Sequence, residues 1–70
     1  MSDETTKRVA KKLKEARLNR GLTQVEVADK AKINSNYYSK IERGQAKPSI
    51  EVYERLAKTL KVSSSDIFPF

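Results

Sequence analysis

Two helix-start signals set close together limit this chain more than any other feature. Thr23-Gln24-Val25-Glu26 has the capping-box pattern, in which the threonine hydroxyl accepts from the backbone and the glutamate reaches back. Asn34 follows soon after, with the short polar side chain favoured at a second helix start. Between them Val27, Ala28 and Ala31 share one face at helical spacing. Only Lys32, Ile33 and Asn34 then separate that helix from the next. Leu22, just before the box, is placed to staple onto Val27. A short helix, a tight turn and another short helix make a helix-turn-helix pattern, although any small helical bundle needs short turns.

The flanking segments are helical as well. Val9, Leu13 and Ala16, with Ala10 beside them, predict a first helix from about Thr6 to Arg20, closed by Gly21. Residues 1–5 read as a frayed N-terminus and residues 6–70 as one domain. In the segment after Asn34, Tyr38 and Ile41 face inward. A rotation of about 100° per residue then gathers Ser35, Asn36, Ser39, Lys40 and Arg43 on the outer face. Gly44 stops that helix, and Ser49 caps another, whose inward stripe is Ile50, Tyr53, Leu56, Ala57 and Leu60. Ser63-Ser64-Ser65-Asp66 offers a second capping box before a last turn at Ile67-Phe68. With no strand signal and no repeat, the expectation is an all-α fold: a compact five-helix bundle with the helix-turn-helix at about 23–43.

Composition narrows the possible functions. A 70-residue chain is one domain and buries only roughly 60% of its unfolded surface, leaving little room for a deep catalytic cleft. It has no Cys, hence no disulfide, thiolate nucleophile or thiolate metal ligand. It also has no His to move protons near neutral pH. No enzyme, cofactor or metal site is expected. No apolar run approaches the ~20 residues of a membrane span, and no signal peptide is evident, so a cytoplasmic module away from membranes is expected. The net charge is +6, and residues 1–20 hold seven basic side chains against Asp3, Glu4 and Glu15. Such an excess favours polyanions, but a solvated helix face would look the same.

The residues themselves say more. Leu22-Thr23-Gln24, Val27-Ala28, Ala31, Ile33, Ser39-Lys40-Ile41-Glu42-Arg43-Gly44, Pro48-Ser49, Leu56-Ala57, Leu60, Val62 and Ile67-Phe68 resemble the Cro-like phage-repressor helix-turn-helix family, also called the XRE family. The resemblance runs from about Val9 to Phe68. It implies a five-helix domain that binds operator DNA, usually as a homodimer, to control transcription. Small members of that family include phage regulators, restriction-modification controllers and antitoxins.

Carried over residue by residue, the resemblance implies that helix 23–31 crosses the DNA backbone, with Gln24 meeting a phosphate. Helix 34–43 becomes the recognition helix in the major groove. Ser35, Asn36, Ser39 and Lys40 then stand at base edges. Arg43 and Lys47 stand at the sugar-phosphate backbone, with Tyr37 a further phosphate candidate or a packing residue. Arg17 and Glu42 match a structural pair that ties the first helix to the end of the recognition helix. Helix N-termini attract phosphate. Asn pairs with adenine N6/N7 and Lys donates to guanine O6/N7, which suggests adenine near Asn36 and guanine near Lys40.

Two departures and one alternative accompany the resemblance. Lys32 and Lys61 stand where the family commonly has Gly, so a positive φ is expected at one or the other. Val25 replaces a usual polar residue and is expected to be exposed. With no second domain in the sequence, a dimer is expected near the C-terminus, through Ile67, Phe68 and Phe70. The alternative is a protein-interaction module, such as an antitoxin or coactivator, with Val25, Leu18 and Phe70 as its apolar candidates.

Overall fold

The computed structural model describes residues 4–63. They form four α-helices: α1 (Glu4–Asn19), α2 (Gln24–Ala31), α3 (Ser35–Glu42) and α4 (Ile50–Leu60). α1 begins two residues ahead of the expected Thr6. The all-α class holds, but the expected count of five helices is corrected to four. α4 closes at the left-handed Lys61, and Val62 and Ser63 are already non-helical. The fifth helix, expected at Ile67-Phe68, lies outside the described residues, as do Asp66 of its capping box and Phe70.

The helix starts read at Thr23, Asn34 and Ser49 form as their chemistry demands. Thr23 Oγ1 accepts from the Glu26 N–H at 3.1 Å, and Glu26 Oε1 accepts from the Thr23 N–H at 2.9 Å. Those backbone and side-chain bonds at Thr23 hold the Glu26 carboxyl below its usual range. Asn34 Oδ1 accepts from Asn36 and Tyr37 N–H groups, and Ser49 Oγ accepts from Val52 N–H. Each satisfies donors that an uncapped first turn would leave to water.

The helix ends share one device. In each, a left-handed residue follows one or two positions past the helix, and paired 6→1 and 5→2 backbone bonds close the last turn as a Schellman motif. The bonds are Leu22→Arg17 and Gly21→Leu18, Ile33→Ala28 and Lys32→Asp29, Gln45→Lys40 and Gly44→Ile41, Val62→Ala57 and Lys61→Lys58. Glycine fills the left-handed position after α1 and α3, at φ +68° and +74°. Lysine fills it after α2 and α4, at φ 60° and 55°. Both expected lysines are therefore strained. Their motifs hold because the next residues, Ile33 and Val62, pack against the core.

The core is made by Val9 and Leu13 from α1, Val27, Ala28 and Ala31 from α2, Tyr38 and Ile41 from α3, and Tyr53, Leu56 and Leu60 from α4. α2 lies between α3 and α4, and α1 packs against α3. Leu22 packs onto this cluster, of which Val27 is a member. Ile50 was expected to face inward, yet 62% of it is exposed. As the first residue of α4 it lies beyond the core, and the buried stripe begins one turn later at Tyr53. A further tie joins the chain's two halves: Arg20 Nε donates to the Leu60 carbonyl at 3.0 Å. A cation at a helix C-terminus complements the dipole there.

Candidate nucleic-acid interface

α3 is divided sharply between its two faces. Tyr38 and Ile41 are buried, and so is Glu42, the only acid on the helix. Opposite them Asn36, Lys40 and Arg43 are exposed, and Ser35 and Ser39 are half-buried. The outer face therefore carries cations and neutral hydrogen-bonding groups without an acid of its own. The structure thus brings Ser35, Asn36, Ser39, Lys40 and Arg43 together as the spacing predicts. Tyr37 borders that face but is half-buried and packs against the core. Lys47 is exposed in the loop that follows, between core-packed Ala46 and buried Pro48.

The orientation of α3 is set from the inside by a polar hub. Arg17 of α1 grips both oxygens of the Glu42 carboxylate with one edge of its guanidinium, Nε to Oε2 at 2.9 Å and Nη2 to Oε1 at 2.8 Å. The remaining guanidinium nitrogen, Nη1, donates to the Leu22 carbonyl at 3.0 Å. Only 11% of the Arg17 side chain and 2% of the Glu42 side chain are exposed. A bidentate pair in such surroundings is strong, and removing one member is costly. Burial alone would raise the Glu42 pKa. Bonding by Arg17, with Tyr38 and Gln24 close by, outweighs burial and holds the carboxyl below its usual range. The Arg17 guanidinium is in turn held above its ordinary value, chiefly by Glu42.

Gln24 joins this hub: its Nε2 donates to Glu42 Oε1 at 3.2 Å. The sequence assigned Gln24 to a phosphate, and nothing in its position suggested an internal partner on another helix. Glu42 therefore receives α1 through Arg17 and α2 through Gln24 while closing α3. The Tyr38 hydroxyl is fully buried beside this cluster and has no hydrogen-bond partner among the described residues. Burial, then the neighbouring Glu42 carboxylate, pushes its ionisation upward.

A second contact that the sequence reading missed lies on the outer face. Arg43 Nη2 donates to Ser39 Oγ at 2.6 Å. The i,i+4 spacing was the signal that could have revealed it. The exposed apolar side chains Leu18, Val25 and Ile50 belong to three different helices. Val25 is open, as expected. Among the described residues there is no group of acids or other ligands suited to a metal ion. No described helix is long and apolar enough to cross a membrane.

With this geometry in place, comparison with known proteins is direct. A family model described as Helix-turn-helix matches residues 13–67. Over 48 residues the chain is 46% identical to the uncharacterized HTH-type transcriptional regulator YqaF of Bacillus subtilis, covering 69% of this chain and 63% of that protein. It is 37% identical over 59 residues to the immunity repressor protein of Bacillus phage phi105, covering 84% of this chain and 41% of the repressor. The restriction-modification controller protein C.AhdI from Aeromonas hydrophila superposes with a TM-score of 0.87 at 27% identity, covering 90% of this chain and 96% of that one. The chain belongs to the helix-turn-helix family, of the Cro-like XRE type. It carries the DNA-binding fold of transcriptional regulators, and spans 63% or less of the two curated relatives named here.

Proposed function

We propose that the chain binds double-stranded DNA at a specific sequence and represses transcription as a homodimer on a palindromic operator. The observation that carries this reading is the outer face of α3. It is exposed, cationic and hydrogen-bonding, and its one acid is turned inward to Arg17. A helix of this kind fits the width of the major groove. Ser35, Asn36 and Lys40 read base edges, and Ser39 shares their face. Arg43, Lys47 and Tyr37 meet the sugar-phosphate backbone. Gln24 presents the start of α2 to a phosphate, with its side chain braced by Glu42. The fold relatives that are regulators and a phage repressor support the regulatory role. Ile67, Phe68 and Phe70 supply the apolar contact between the two copies.

Selection of binding sites from a random DNA pool tests the whole reading. The expected winner is a palindrome with half-sites about 34–36 Å apart, one turn of duplex, bound with an affinity that falls steeply as salt rises. Absence of enrichment, or binding indifferent to both salt and sequence, refutes it.

A further inference from the structure

We propose that Ser39 is a positioning residue: its hydroxyl holds the Arg43 guanidinium for a DNA phosphate and does not read a base. The inference rests on α3 being the recognition helix. Four observations support it. Arg43 Nη2 donates to Ser39 Oγ at 2.6 Å, a short bond to a charged donor. Ser39 is half-buried, whereas Asn36 and Lys40 on the same outer face are exposed. Its short side chain therefore lies behind theirs.

Position along the helix agrees. Ser39 lies one turn before Arg43, which stands one residue past the end of α3, so the hydroxyl and the guanidinium meet on the outer face. The backbone at Arg43 is fixed on both sides, because Glu42 before it is locked to Arg17 and the turn after it is closed by Gly44 and Gln45. The long side chain is the only part of Arg43 left to order. An arginine carries five N–H donors in a rigid fork suited to phosphate. With one donor held by Ser39, the rest are set in place before DNA arrives, and less freedom is lost on binding.

The test uses the site selected by the wild-type chain and compares Ser39→Ala, Ser39→Thr, Arg43→Ala and the Ser39→Ala/Arg43→Ala double variant. Affinity is measured against salt and against single-base variants of the site. Ser39→Ala is expected to bind every sequence roughly fivefold more weakly with the base preferences unchanged. The slope of log affinity on log salt should fall toward that of Arg43→Ala, which lacks one phosphate contact, or about 0.9 of slope. Ser39→Thr, which keeps the hydroxyl, should retain wild-type slope and affinity. The double variant should match Arg43→Ala. A changed preference at one base position, an unchanged slope with only a lower melting temperature, or additive losses in the double variant overturns the proposal. If the wild-type chain shows no sequence-selective, salt-dependent binding, the underlying reading of α3 falls instead.

Discussion

Gln24 donates to the same oxygen of Glu42 that accepts from Arg17, at 3.2 Å and 2.8 Å respectively. One carboxylate thereby fixes α1, the start of α2 and the end of α3 against one another. The angle between the two helices of the helix-turn-helix is set by this bond as well as by the turn at Lys32.

Breaking the hub from one side should be more harmful than replacing it. Glu42→Ala leaves the Arg17 charge nearly enclosed and should cost about 3 kcal/mol. The double variant Arg17→Met/Glu42→Leu should lose less, because no charge is stranded. Urea unfolding of the three chains decides it, and a double variant less stable than Glu42→Ala would contradict the account.

Acid should act through the same carboxylate. The Glu42 pKa is lower in the folded chain than its ordinary value of 4.5. Its contribution is therefore complete above about pH 4.5 and is lost as pH falls through the lowered folded value. Stability measured from pH 7 to pH 3 should drop in the lower part of that range. Glu42→Gln should be less stable at pH 7 and show a shallower acid loss. Equal acid sensitivity in the two chains would rule Glu42 out as the source.

Lys32 is held left-handed, where a side chain costs on the order of 1–2 kcal/mol relative to glycine. Lys32→Gly should stabilise by about 1 kcal/mol, the remainder being offset by the greater freedom of glycine in the unfolded chain. That corresponds to a rise in melting temperature of about 4–8 °C for a domain of this size. Circular dichroism melting reads it directly, and a lower melting temperature would show that the lysine is compensated by something else.

Tyr38 carries a buried hydroxyl with no partner among the described residues. Leaving such a group unsatisfied costs about 1–3 kcal/mol. Tyr38→Phe keeps the ring in the core and should raise stability by on the order of 1 kcal/mol. Chemical denaturation checks this, and a destabilised variant would mean that the hydroxyl is bonded in solution.

Local chemistry was the legible part of the sequence. The Thr23–Glu26 box and the Asn34 cap each depend on a few neighbouring residues, and both are present; a left-handed lysine was expected from the family resemblance, and both Lys32 and Lys61 adopt it. The Arg17–Glu42 pair was legible through the family resemblance alone, since 25 residues separate its members. The Gln24–Glu42 bond gave no signal, because it depends on how two helices cross. Ile50 misled because helical spacing marks a face but not how far the neighbouring helices extend along it. The fifth helix was inferred from a capping pattern and from the family, whereas α4 closes at Lys61 and four helices are described.

The inward turn of Glu42 has a consequence for retargeting. Everything that fixes α3 lies on its buried side or at its two ends: Tyr38 and Ile41 in the core, Asn34 at the start, Glu42 and Gly44 at the finish. The side chains of Ser35, Asn36 and Lys40 take no part in that anchoring, to which Asn36 and Lys40 contribute only backbone groups. If α3 reads DNA as proposed, these three positions are an exchangeable reading head on a fixed mount, and a new base preference can be installed there without refolding the domain.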